Sequence, residues 1–106
     1  EFDGHYGIDV ASVEGAPVAS ILDGTVIFSE WTVETGYVIQ IQHDNQLVSI
    51  YKHNSKLLKR AGNRVQAGEI IALTGSSGEL STAPHLHFEM LYLGVPLNPE
   101  NYISFE

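Results

Sequence analysis

Five stretches of the chain alternate apolar and polar residues with a period of two: "GTVIFSEW" (24–31), "YVIQIQH" (37–43), "LVSIYKH" (47–53), "EIIALTG" (69–75) and "HLHFEMLYL" (85–93). All are rich in β-branched and aromatic residues, and each predicts a strand. Helical period is nearly absent, so the pattern predicts an all-β domain of compact antiparallel sheets with at most one short helix. "HDNQ" (43–46) supplies an Asp-Asn pair that tolerates positive φ, which predicts a hairpin between the second and third strands. The one helical candidate is "SKLLKRAG" (55–62), with Ser55 capping its start, Gly62 its end, and Leu57 and Leu58 facing inward. The glycines at 62, 68, 75 and 78 fit positions of positive φ or close backbone approach. No internal boundary interrupts the pattern before the turn-rich "GVPLNPENY" (94–102).

Length agrees with this picture, since 106 residues make one small domain that buries a modest core unaided. There is no cysteine and hence no disulfide framework, and no apolar run approaches the ~18 residues of a membrane span. The chain opens at Glu1, four residues before a candidate site histidine, and is expected to be a fragment of a longer protein with an upstream regulatory or anchoring domain. A net charge of −8 argues against a nucleic-acid partner. All five cationic side chains, Lys52, Lys56, Lys59, Arg60 and Arg64, fall within 52–64, a segment without any Asp or Glu. It reads either as a solvated face or as a cationic shoulder for carboxylates on a substrate or partner.

Candidate chemistry lies in the histidines. On a strand His85 and His87 share a face about 6.6 Å apart, at ~3.3 Å rise per residue, with Leu86 and Phe88 on the other side. Taken singly each reads as structural, but two neighbouring imidazoles disfavour mutual protonation unless a metal or anion lies between them. "HYGID" adds His5 and Asp9; on a straight strand they would stand ~13 Å apart, so one metal needs a bend, which Gly4 and Gly7 can supply. His53 ends a strand in "YKHNS", and His43, before the hairpin turn, is read as structural. Imidazoles and a carboxylate without thiolate suit Zn²⁺ in a site of three protein ligands and one open position. Such a site makes hydroxide available near neutral pH and polarises a carbonyl, which is the equipment of amide hydrolysis.

"HYGID", "YKHNS" and "PHLHFE", in this order and with "GNRVQAGEIIALTGSSG" between the last two, closely resemble the lysostaphin-like or LytM-type (M23) metallopeptidase domain, from His5 to about Tyr102. The resemblance implies antiparallel β-sheets flooring a groove, and a zinc endopeptidase that cuts stem peptides or cross-links of bacterial peptidoglycan. By motif it implies that His5, Asp9 and His87 hold one Zn²⁺. It likewise implies that His53 and His85 stay off the metal, position the water and stabilise the tetrahedral intermediate. It implies a core of inward residues such as Val26, Phe28, Ile39, Ile41, Val48, Ile50, Leu86 and Phe88. Two departures stand out: Ala83 replaces the glycine common before the proline of "PHLHFE", and the groove loops are short, with "SEWTVETGY" (29–37) and "TGSSGELSTAP" (74–84) as walls. Trp31 in the first wall is assigned to packing.

The resemblance also implies action outside the cytoplasm, in the periplasm or cell envelope. Both a D-alanyl to diaminopimelate cross-link and a glycine bridge fit the resemblance; the acidic balance disfavours adhesion to anionic teichoic polymers and so leans toward the former. Some members of the family have lost zinc ligands and instead activate cell-wall amidases; all five expected positions are occupied here, which weighs against that non-catalytic binding module. "AGNRVQAGEIIALTG" also looks like half of a biotinyl or lipoyl carrier, but no lysine follows "EIIAL" to bear the cofactor.

Overall fold

The computed structural model describes the backbone of residues 7–11, 14–75 and 85–98 and the side chains of 14–75 and 86–98. The described chain is nearly all strand: β1 (Gly7–Ala11), β2 (Pro17–Ala19), β3 (Gly24–Thr32), β4 (Gly36–Gln42), β5 (Leu47–Leu57), β6 (Arg64–Val65), β7 (Ile70–Thr74), β8 (His85–Tyr92) and β9 (Val95–Leu97). Every pairing is antiparallel, and the main path runs β1-β8-β5-β4-β3-β6, with β2 on β7, β7 on β5 and β9 on β8. The expected β4–β5 hairpin forms around a single 3-10 turn at Asp44–Gln46, where Asn45 (φ 63°) and Gln46 (φ 64°) take the left-handed conformation.

One sheet encloses its own core. Val18, Val26, Ile39, Ile41, Tyr51, Val65, Ile71, Ala72, Phe88 and Met90 come from strands β2 through β8 yet form one cluster, which a flat sheet could not bring together. The sheet therefore curls. Of the expected core, Val26, Ile39, Ile41, Ile50 and Phe88 are buried, and Leu86 is half-buried against the cluster. Val48 is only half-buried, and Phe28 is exposed. The β3–β4 register slips between Val26 and Phe28, so strict alternation, which puts both inward, fails at that bulge.

The expected helix at 55–62 does not form. β5 runs straight through Ser55, Lys56 and Leu57, with Lys56 paired to Leu73 and Leu57 to Ala72, and Leu58 N–H continues the ladder to the Ile71 carbonyl. Ser55 donates to the Leu73 carbonyl instead of capping a helix. Pairing with β7 over 58 N–H and its neighbours outweighs the weak preference of two leucines and two lysines for a helix. Gly62 (φ 97°) then closes a turn in which Asn63 N–H bonds the Arg60 carbonyl.

Beneath the β4–β5 turn lies a buried polar chain. His43 donates Nδ1–H to the Asp23 carbonyl (2.8 Å), and its Nε2 meets Ser49 Oγ (2.7 Å), which in turn lies 2.8 Å from the Tyr51 hydroxyl. The Tyr51 oxygen accepts from Ile21 N–H at 3.1 Å. His43 is thus a structural residue, as its sequence context implies. Tyr51→Phe should lower the unfolding free energy by about 1–2 kcal/mol, measured by urea denaturation, because Ile21 N–H and Ser49 lose a buried partner. Burial raises the Tyr51 pKa above its ordinary 10.0, against weaker opposing hydrogen bonds from Ser49, Ile21 and Ser20. In the unfolded chain the phenol ionises first, so stability held below pH 10.0 is lost as pH rises toward the folded value. Wild type should accordingly lose stability above pH 10.0 more steeply than Tyr51→Phe, as read from denaturation midpoints.

Candidate metal and catalytic site

The site grows out of three adjacent strands. On β8, Phe88 and Met90 go into the core at 2% and 3% exposure, so the alternating partners His87 and Glu89 take the opposite face. Register puts Asp9 of β1 directly opposite His87 on one flank and Lys52 of β5 directly opposite it on the other. Directly opposed residues of an antiparallel pair share one row of positions across the sheet. Asp9, His87 and Lys52 therefore hold one row across β1, β8 and β5.

His53 reaches this row through an irregularity. β5 pairs with β8 from Leu47 to Lys52 and with β7 from Asn54 onward, and at the junction His53 has φ 65°. Left-handed backbone is uncommon for a side chain branching into a ring and survives where its surroundings hold it. Here His53 N–H bonds the Thr35 carbonyl at 2.8 Å, and its own carbonyl accepts Gly75 N–H at 3.1 Å. Asn54, fully buried, donates its Nδ2 to the carbonyls of Tyr37 and Tyr51, both at 3.0 Å. A Cβ on Gly75 would lie 2.7 Å from the Ser55 backbone nitrogen, so only glycine lets β7 approach here. The outcome is that the His53 and His87 rings stand edge to face with centroids 6.0 Å apart.

His87 Nε2 lies 2.8 Å from Glu89 Oε2, and Lys52 Nζ reaches the same oxygen at 2.9 Å. Burial pushes the Glu89 pKa up, but hydrogen bonds from His87 and Lys52 and their positive charges outweigh it, bringing the carboxyl from 4.5 down to about 2. The carboxylate is ionised at any working pH. The sequence motif contained Glu89 and the basic segment contained Lys52, but neither was given a site role. The signal was available: 85, 87 and 89 share strand parity.

Of the expected site residues, the structure brings His53 and His87 together and sets Asp9 in register with His87. His85 occupies the β8 position paired with Ala11 of β1. His5 lies outside the described residues, as do the side chains of Asp9 and His85. Among the described residues no group of three potential metal ligands is present. What is present fits zinc: an imidazole backed by a carboxylate, with an aspartate opposite it in register and no thiolate.

Past His53 along β5, a groove is lined by Glu30, Trp31, Tyr37, Ser55, Lys56 and Arg60, among others. Trp31 and Tyr37 face each other across the β3–β4 hairpin, the first of the two expected groove walls. Trp31 is 53% exposed, so it lines the groove and does not pack. The outer half of β3 lies outside the core altogether, with Ile27, Phe28, Glu30 and Trp31 all exposed. Within the basic segment, Lys59 pairs with Glu69 at 2.7 Å and holds that carboxyl below its ordinary pKa, while Arg64 bonds Thr25 Oγ1. Among the described residues no carboxylate pairs with Lys56 or Arg60. The second expected wall, 74–84, lies beyond Gly75 outside the described residues. A larger apolar cleft between Ile21–Asp23, Asn45 and Leu97 contains no expected site residue.

Comparison with known proteins identifies the family and the fold. The model of peptidase family M23 matches residues 3–99. The chain is 38% identical over 94 residues to a protein of Vibrio cholerae named peptidoglycan DD-endopeptidase ShyA, covering 89% of this chain and 22% of that one. It is also 38% identical over 101 residues to the murein hydrolase activator NlpD of Escherichia coli, covering 94% of this chain and 26% of that one. Among solved structures, a zinc-containing peptidase from Vibrio cholerae superposes with a TM-score of 0.83 at 41% identity, over 88% of this chain and 28% of that one. The chain thus spans about a quarter of the length of these proteins.

The junction at His53 yields a prediction of its own. Gly75→Ala should lower the thermal midpoint and displace the His53 ring resonances, because the added methyl meets the Ser55 backbone. Gly62→Ala, where nothing lies within 4 Å of the new methyl but φ is 97°, should lower the midpoint without moving those resonances.

Proposed function

We propose, from the premise that this chain belongs to peptidase family M23, that it is a zinc-dependent endopeptidase acting on the peptides of bacterial peptidoglycan. The observation that carries this is the row Asp9, His87, Lys52, with the His53 ring turned against His87. His5, Asp9 and His87 would hold the metal. Bound zinc would supply a Lewis acid and lower the pKa of a coordinated water toward ~7.

The remaining steps fall to this chain's own side chains. His53 and His85 orient the attacking water, take its proton and return one to the departing amine, and their N–H groups face the developing oxyanion. The left-handed backbone at His53 prepays the cost of placing that ring before substrate arrives. Trp31 and Tyr37 offer flat apolar surface to the substrate, and Lys56 and Arg60 meet its carboxylates. A D-alanyl to diaminopimelate cross-link carries such carboxylates, which a glycine bridge lacks, and the name of the Vibrio relative points the same way. Action in the periplasm or cell envelope follows from such a substrate, and no described helix is long and apolar enough to cross a membrane. In the longer protein an upstream domain would anchor or regulate this one.

The second reading is a non-catalytic module that activates other wall hydrolases, favoured by the equal identity to the activator from Escherichia coli. Retention of His5, Asp9, His53, His85 and His87 weighs for the enzyme. Purified peptidoglycan decides: release of muropeptides by the zinc-loaded chain supports the endopeptidase, and zinc binding without cleavage supports the module. His87→Ala should abolish both metal retention and hydrolysis. His53→Ala or His85→Ala should keep zinc and slow hydrolysis about 10²-fold or more. Lys56→Glu combined with Arg60→Glu should raise KM for stem peptides and flatten its salt dependence, with kcat little changed.

A further inference from the structure

We propose that Lys52 and Glu89 form a charged brace that fixes the ring of His87 and dictates which of its nitrogens is offered to a metal. A single oxygen, Glu89 Oε2, receives His87 Nε2 at 2.8 Å and Lys52 Nζ at 2.9 Å. An ionised carboxylate only accepts, so the nitrogen facing it must carry the proton. In a singly protonated ring that leaves the lone pair on Nδ1, which becomes the donor atom. The brace therefore selects the tautomer as well as the ring angle, since the ladder from Leu47–Tyr92 to Lys52–His87 fixes the two strands that carry it.

Lys52 has its own part. Glu89 and His87 are 12% and 16% exposed, and a carboxylate so placed is costly unless its charge is met. Lys52, at 24%, meets that charge from β5. Both residues act through His87, so they are positioning residues and make no contact with substrate in this scheme. The inference rests on His87 being a metal ligand, and the experiment separates the two.

Zinc affinity is measured on the chain by competition with a chromogenic chelator, and the protonated nitrogen of His87 is read in the metal-free chain by long-range ¹H–¹⁵N correlation. Wild type should show the proton on Nε2. Glu89→Met should bind zinc about 10–100-fold more weakly, the usual cost of losing a carboxylate behind a ligating imidazole, and should shift His87 toward the Nδ1-protonated form. Lys52→Met, at the half-exposed end of the brace, should weaken zinc by about tenfold, the low end of that range, even if Glu89→Met fails to fold. Zinc affinity within twofold of wild type in Lys52→Met and in folded Glu89→Met overturns the brace. A loss in Glu89→Gln as complete as in His87→Ala overturns it too, by making Glu89 a ligand. If His87→Ala itself leaves zinc affinity unchanged, the metal assignment beneath the proposal falls instead.

Discussion

The site depends on β5 changing neighbours between Lys52 and Asn54. Up to Lys52 the strand lies against β8, and from Asn54 it lies against β7, so one residue must take up the mismatch. That residue is His53, and the adjustment is paid in a left-handed backbone. Two buried carbonyl bonds from the Asn54 amide, the Thr35 carbonyl and the close approach of Gly75 hold the step in place. Without the step, strict alternation would carry residue 53 to the face opposite Lys52. With it, a ring from one strand comes edge-on to a ring from another.

Much of this was legible in the chain, and the parts that were not share a cause. Alternation found β3, β4, β5, β7 and β8 because those strands keep one face in the core over several residues. It missed β2, β6 and β9, which have three residues or fewer and no period to show, and β1, whose five residues "GIDVA" open on glycine and carry no clean alternation. It misplaced Phe28 because a bulge resets parity and leaves no mark in composition; Trp31 was assigned to packing on residue type, although its parity relative to Val26 already points it outward. It made a helix of 55–62 because local preference was the only information there, whereas the β7 edge that recruits this segment comes from residues 70–74. Long-range pairing decided each case.

The site shows the same division. Strand parity alone put Leu86 and Phe88 toward the core and both histidines of "HLH" at alternating positions. Spacing alone left His5 and Asp9 as a weak pair, and motif resemblance gave them a role. The β1–β8 register sets Asp9 opposite His87, a pairing that spacing within β1 could not show. Lys52 was counted with four other cations and its individual partner was lost in that count. Clustering in sequence proved a poor guide: Lys52, Lys59 and Arg64 are each engaged by a different element, and only Lys56 and Arg60 face the groove without a carboxylate partner among the described residues.

One feature of β8 limits how anything can be held over it. From His87 to Tyr92 the strand is hydrogen-bonded to β5 on one side, and along the other side β1 takes over as far as Glu89 and β9 beyond it. Its main-chain donors and acceptors over that stretch are already spent within the domain. An extended peptide cannot dock there by β-augmentation, as an added strand does on an open sheet edge. Over this stretch it must lie across the sheet face and meet the side chains of β8, so that what they recognise can change by substitution without altering the scaffold beneath.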